Sequence, residues 1–252
     1  MKPLHRKHIV LLLMMLPVLA SGQQYDTIII NNDVQLIHLK DSFFVHVTWD
    51  DYNGCRFGSN GLLVIRNGNA LMIDTPMDET KTAAILNYLR DSMHTNVTLF
   101  IPGHWHNDCI GGLAELHCRN VFSIANEMTR AECIKRNLET PKASFSKSLT
   151  WSFCGIPVEC WYPGAGHSLD NIVVYFPKQK ILFGGCLTKS AESSTIGNIA
   201  DADVHAWPKT LKKVQKKYRD AEIIIPGHGS VGSLKLIDHT ICIINHYLNS
   251  KK

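Results

Sequence analysis

The chain has 252 residues and a formal net charge of +4, but Lys2, Arg6 and Lys7 sit ahead of an N-terminal apolar run, and +1 remains without them. A balance so close to neutral implies neither a nucleic acid nor a membrane surface as partner. The eight cysteines, Cys55, Cys109, Cys118, Cys133, Cys154, Cys160, Cys186 and Cys242, follow no dense staple spacing, which speaks against a small disulfide scaffold.

The apolar run from Ile9 to Ala20 is followed by Ala20-Ser21-Gly22, a small-x-small cleavage site. Residues 1–22 therefore read as a secretory signal peptide; the run is too short for a membrane span and no stop-transfer pattern follows. No cysteine near the cut offers itself to a lipid. No later stretch is long and apolar enough to cross a bilayer. The expectation is one exported, soluble domain over 23–252, located in the periplasm, with about 230 residues to build its core.

The mature chain opens on β pattern: Thr27 to Ile30, Val34 to Leu39 and Phe43 to Val47, with turns at Asn31-Asn32-Asp33 and Asp41-Ser42. Trp49 to Asn60, polar and glycine-containing with Tyr52 and Phe57 in it, reads as an exposed loop, either locally packed or a flap over a substrate. Leu62 to Arg66 and Ala70 to Asp74 form a hairpin through Asn67-Gly68-Asn69. Asp74, at the end of an apolar strand, is either a turn residue or a buried buttress for a metal site. Asp78 to Met93 reads as an amphipathic helix with Ala84, Ile85, Tyr88 and Leu89 on one face.

Val97 to Ile101 is an apolar strand that ends in Pro102-Gly103, and His104-Trp105-His106-Asn107-Asp108-Cys109 follows directly. Imidazole and carboxylate are nitrogen and oxygen donors for zinc. In an extended turn alternate residues face the same way, so His104, His106 and Asp108 are expected to face one cavity. The alternative, a polar loop with incidental histidines, does not explain why the cluster sits on the rigid base of a strand. A short helix with Leu113 and Leu116 comes next, then a strand from Val121 to Ile124 and a helix from Asn126 to Asn137 capped by Asn126. Trp151 to Phe153 and Val158 to Tyr162 pair around Gly155-Ile156-Pro157, and Cys154 and Cys160 either face each other there or do not pair. Ile172 to Phe176 and Ile181 to Phe183 pair around Pro177-Lys178-Gln179-Lys180. A helix from Val204 to Tyr218, a strand from Glu222 to Ile225 and a helix from Leu234 to Leu248 complete the chain.

One segment repeats. Leu99-Phe100-Ile101-Pro102-Gly103-His104 is answered by Ile223-Ile224-Ile225-Pro226-Gly227-His228, which predicts two similar halves that bring both histidines to one edge. His167 in Gly164-Ala165-Gly166-His167-Ser168 and Cys186 in Gly184-Gly185-Cys186 also stand at glycine-rich breaks, where the backbone can bend close to a metal. With His104, His106, Asp108 and His228 they make six donors, enough for two zinc ions with three protein ligands each, and the open positions of a catalytic rather than a structural site. If Cys186 is a ligand, seven cysteines remain, so at least one more thiol stays free or pairs between chains. His38, His46, His94, His117, His205, His239 and His246 lack such settings and read as surface or packing residues.

These motifs, together with Gly166-His167-Ser168-Leu169-Asp170-Asn171, Gly184-Gly185-Cys186-Leu187-Thr188-Lys189, Gly197-Asn198-Ile199-Ala200-Asp201-Ala202-Asp203 and Pro226-Gly227-His228-Gly229, make the chain resemble the metallo-β-lactamases over essentially its whole mature length. More narrowly it is similar to the dizinc group with a three-histidine site beside an Asp-Cys-His site, the Bacteroides-type carbapenemases. The resemblance implies an α/β fold, the αββα sandwich, with two mixed β-sheets packed face to face and helices on both outer faces. It implies that His104, His106 and His167 hold one zinc and that Asp108, Cys186 and His228 hold the other. It further implies that Lys189 receives a substrate carboxylate, that Asn198 polarises the lactam carbonyl and that Asp108 orients a hydroxide generated on zinc, whose bound water ionises near pH ~7. The expected substrates are penicillins, cephalosporins and carbapenems, the expected consequence is antibiotic resistance, and the expected state is a monomer. The segment from Trp49 to Asn60 matches the family's hairpin loop in position but departs from it in sequence. Cys109 reads as a neighbour beneath the second zinc. Two rivals stay open: a related hydrolase acting on thioesters, lactones or phosphoesters, and a non-catalytic exported zinc-binding protein. A serine β-lactamase is disfavoured, since Ser144-Phe145-Ser146-Lys147 fits that pattern only in isolation.

Overall fold

The N-terminal strands form a meander. In this computed structural model, which describes residues 25–52 and 54–251, β1 (Thr27–Asn31), β2 (Val34–Lys40), β3 (Phe43–Tyr52), β4 (Cys55–Arg66) and β5 (Asn69–Ile73) pair in sequence, each antiparallel to the last. The expected signal peptide, residues 1–22, lies outside the described residues. Helix α1 (Glu79–Met93) carries the chain back, so that β6 (Asn96–Ile101) joins β5 in parallel. The Asp78 side chain accepts from Lys81 N at 2.7 Å, satisfying one of the orphan amides of the first turn of α1. Short helices α2 (Asn107–Ile110) and α3 (Leu113–Cys118) lead to β7 (Phe122–Asn126), and α4 (Glu127–Lys135) leads to β8 (Ala143–Phe145); both strands extend the same edge in parallel, giving a mixed sheet of eight strands.

The second sheet has five strands. β9 (Ser148–Phe153), β10 (Ile156–Trp161), β11 (Val173–Phe176) and β12 (Ile181–Gly185) are antiparallel neighbours. Helix α5 (Trp207–Lys217), with Pro208 in its first turn where no amide donor is needed, returns the chain so that β13 (Ile223–Pro226) lies parallel to β12. Helix α6 (Lys235–Ser250) closes the fold. No described helix is long and apolar enough to cross a membrane.

Alternation explains the layers. Leu62, Val64, Leu71, Ile73 and Ile101 of the first sheet face Val174, Phe176, Ile181, Phe183 and Ile225 of the second in one central core. The intervening residues Leu63, Met72 and Phe100 turn outward onto Ile85, Leu89, Leu113 and Leu116 of the helices. Likewise Val173, Tyr175, Leu182 and Ile224 face Trp207, Leu211 and Ile237. Strands buried on both faces read as unbroken apolar runs, which is why those segments of the sequence show no polar alternation. The arrangement is the expected αββα sandwich. The repeated motif also falls into place: β4–β5–α1–β6 and β11–β12–α5–β13 are the same unit, an antiparallel pair followed by a helical crossover to a parallel strand.

Several local expectations change. Trp49 to Asn60 is not a loop: β3 and β4 stay in register to Tyr52 and Cys55. The turn of the β9–β10 hairpin is Cys154-Gly155, both at positive φ (47° and 84°), and Pro157 belongs to the strand. That pair of left-handed residues is a two-residue hairpin turn, written here with a cysteine in place of the usual asparagine. Strand β8 was not anticipated. All eight cysteines are free thiols; Cys160 lies across from Leu149, not from Cys154.

Candidate metal centre

The chain does not run extended through His104-Trp105-His106-Asn107-Asp108. It bends after β6, and α2 begins at Asn107, so Asp108 lies in a helical first turn. The donors still converge, now by a bend and a helix start. The rings of His104, His106 and His167 form a triangle with centroids 4.4, 4.9 and 5.1 Å apart, and one ligand atom from each lies within 4.8 Å of the others. Burial, reinforced by neighbouring histidines, pulls the His106 and His167 pKa values below the ordinary imidazole range. These rings are held neutral, with lone pairs free. His104 Nε2 and His167 Nδ1 are buried without hydrogen-bond partners among the described residues. Buried orphan atoms of this kind call for an ion or water, and neutral imidazole is a zinc donor.

Beside the triangle, Asp108 Oδ2 lies 3.2 Å from both Cys186 Sγ and His228 Nε2, and Cys186 Sγ lies 3.5 Å from His228 Nε2. Burial opposes charge on Asp108, but the His228 hydrogen bond and the nearby imidazoles outweigh it and hold the carboxyl far below the usual range. The Cys186 thiol is pulled well below its ordinary value, first by a hydrogen bond from Cys109, against the cost of burial. Cys109, buried beside these anions, is pushed up and keeps its proton. It is the neighbour of the ligand set that the sequence suggested, and its sulfur lies 3.1 Å from His104 Nδ1. Two acids held as anions 3.2 Å apart favour a cation. The donor chemistry of both sets fits zinc.

Supports surround the donors. Asp74, at φ 59° after β5, accepts the Gly103 amide and so pins the turn ahead of His104. This is the buttress reading of that residue. His46 is 1% exposed, and its Nε2–H donates to the Asp74 carbonyl at 3.0 Å. Asn60, also buried, donates from Nδ2 to Pro226 O at 2.9 Å and Gly229 O at 2.8 Å, while its amide donates to Gly227 O at 2.8 Å. The turn that carries His228 is thus clamped by β4, and His228 Nδ1–H donates to Gly58 O at 2.8 Å, which turns Nε2 toward Asp108. Asp201 accepts from His106 Nε2 at 3.1 Å, leaving Nδ1 for a metal; Arg136, stacked 3.6 Å over Trp105, backs Asp201 from 3.6 Å.

Both sets open on a cavity of about 470 Å³ lined by Phe57, Met77, Trp105, Lys189 and Asn198 among others. Lys189 is not a solvated surface lysine: it is 8% exposed, and burial pulls its ammonium below the ordinary range. Asn198 is exposed at the rim, its Oδ1 accepting from Ala200 N at 3.1 Å. All eight residues named from the sequence therefore meet at one place. Sequence reasoning missed His46, Asn60 and Asp201; only Asp201 left a signal, as part of the Gly197 to Asp203 motif.

A sandwich of this topology with two adjoining nitrogen, oxygen and sulfur donor sets at one cleft is the architecture of a metal-dependent hydrolase. No family model matches the chain. It is 43% identical over 242 residues to a metallo-β-lactamase type 2 of Bacteroides fragilis, covering 96% of each chain. It is 33% identical over 227 residues to a metallo-β-lactamase type 2 of Bacillus sp. (strain 170), covering 89% of this chain and 88% of the relative. The solved metallo-β-lactamase from Pontibacter korlensis superposes with a TM-score of 0.82 at 32% identity, covering 84% of this chain and 99% of that one. The chain belongs to the metallo-β-lactamase family.

Proposed function

We propose that this protein is a zinc-dependent β-lactamase that opens the amide bond of penicillins, cephalosporins and carbapenems and so confers resistance to them. It holds two zinc ions, one on His104, His106 and His167 and one on Asp108, Cys186 and His228. It acts as a monomer in the periplasm after loss of residues 1–22. The observation that supports this reading best is the meeting of the His104, His106 and His167 imidazoles and an ionised Asp-Cys-His set at one cleft. Three ligands per ion leave coordination positions open to a reactant.

Zinc supplies Lewis acidity, polarising the lactam carbonyl and acidifying water at neutral pH. The chain's own residues do the rest. Lys189 binds the carboxylate beside the lactam nitrogen, an interaction strengthened by its low-dielectric surroundings. Asn198 donates its side-chain amide to the carbonyl oxygen as negative charge grows there. Asp108 accepts a hydrogen bond from the attacking water and orients it. Its carboxylate is too weak a base to keep the proton, which ends on the amide nitrogen as the C–N bond breaks. Phe57 and Met77 wall the cleft with apolar surface and exclude bulk water from the reacting atoms.

A substrate panel tests this: a penicillin, a cephalosporin and a carbapenem against a thioester and a lactone, with and without a chelator. Ring opening of the lactams that stops on chelation is the expected result. Turnover confined to the thioester or lactone would replace the reading, and zinc binding with no turnover would leave a binding protein.

A further inference from the structure

The outer part of the β3–β4 hairpin is a two-stranded ribbon, a structure of marginal stability by itself. Besides the hydrogen bonds from Trp49 N–H to Asp33 O at 3.0 Å and from His228 Nδ1–H to Gly58 O at 2.8 Å, two ion pairs fasten it to the body. Arg56 Nη2 donates to Asp33 Oδ1 at 2.7 Å and to Asn32 O at 2.8 Å, but both side chains are nearly half exposed, 45% and 47%. The second contact is better shielded: Lys81 Nζ, in the first turn of α1, lies 2.8 Å from Asp50 Oδ1, with each side chain only 17% exposed, and also pairs with Asp78. Its place in the register gives it a role. Asp50 is the direct cross-strand partner of Phe57, whose ring walls the cleft, and the next residue, Gly58, offers the carbonyl that orients His228.

We propose that Asp50 and Lys81 are positioning residues: their ion pair latches the hairpin to the start of α1 and sets the height of Phe57 above the cleft, and with it the grip on the apolar side chain of a substrate. The substrate half of this inference rests on the β-lactamase reading; the latch does not. Charge sequestered between strand and helix holds the ribbon in one position where apolar contact alone would leave it free to lift. Phe57 thereby meets the substrate pre-placed, without an ordering cost at binding.

The test compares the zinc-loaded wild-type protein with Asp50→Asn and Lys81→Met. Asp50→Asn keeps the shape of the side chain and leaves the Lys81–Asp78 pair and the α1 cap intact. Backbone amides between residues 49 and 58 are expected to exchange with deuterium roughly 5-fold faster in both variants, the scale of a partly shielded ion pair, while amides of β2 and α5 keep the wild-type rate. KM for a β-lactam with a bulky apolar side chain is expected to rise about 3-fold or more, with kcat within about 2-fold, the pattern of lost uniform binding. Arg56→Met is expected to change both less. Unchanged exchange over 49–58 in both variants overturns the latch. Faster exchange with unchanged KM overturns its role in substrate grip. Failure to hydrolyse any β-lactam would strike the functional reading and still leave the exchange result to decide the latch.

Discussion

Acidification isolates His46, which is not a metal ligand yet underlies the site. Its ring lies over Gly61, its cross-strand partner, where a Cβ would stand 2.0 Å from Nε2. Burial lowers its pKa from 6.5 to about 4, against weaker support from backbone hydrogen bonds. Because the folded pKa is depressed, the unfolded chain binds the extra proton between those two values. Stability from this group is complete above pH 6.5, falls as pH drops, and levels off below about 4. Linkage puts the loss at about 2 kcal/mol between about pH 7.5 and pH 5, and at about 3 kcal/mol in full. The assay is urea unfolding at both pH values for the wild type and His46→Gln, which keeps an N–H for the Asp74 carbonyl. Other titrating groups are common to both proteins and cancel in the comparison. The variant is expected to be less stable at about pH 7.5 but to lose about 2 kcal/mol less on acidification. Equal losses in the two proteins would refute the reasoning.

Asn60→Ala deprives two carbonyls of their buried donor, Pro226 O and Gly229 O. Stability should fall by about 2–4 kcal/mol, and chelator competition should show the Asp108-Cys186-His228 set losing about 10-fold in zinc affinity while the three-histidine set keeps its own. Lys189→Ala should raise KM for carboxylate-bearing lactams by about 10-fold or more with little change in kcat; an unchanged KM removes Lys189 from the binding role. Gly61→Ala should unfold the protein at lower urea than any surface substitution, since the new Cβ also meets the Ile73 carbonyl at 2.7 Å; wild-type stability would show that the His46 ring is not confined there.

What the sequence made legible was local. His104, His106 and Asp108 announce themselves by spacing, and His167, Cys186 and His228 by the glycines beside them. The repeated Pro-Gly-His pointed to two like halves because both copies follow a parallel crossover strand. The supports stayed hidden because their partners are remote: Asn60 reaches a carbonyl 166 residues away and Asp201 a ring 95 residues away. His46 looked like any packing histidine, and only the register shows that its ring fills the space above Gly61. The Trp49 to Asn60 segment was misread because Asp50, Asp51 and Arg56 carry the charges of a loop; they are ion-pairing residues of a hairpin, Asp50 on one face and the cross-strand partners Asp51 and Arg56 on the other. The Asn107 to Ile110 turn was misread because four residues are too few to show helical periodicity.

Carbapenem hydrolysis tests the central claim most directly, measured on the mature protein before chelation, after chelation, and as zinc is returned in counted equivalents. Activity that vanishes and returns, with two zinc ions bound per chain at full recovery, is the predicted result. A protein that binds zinc through these residues and hydrolyses no β-lactam at any occupancy would contradict the account and leave only the fold.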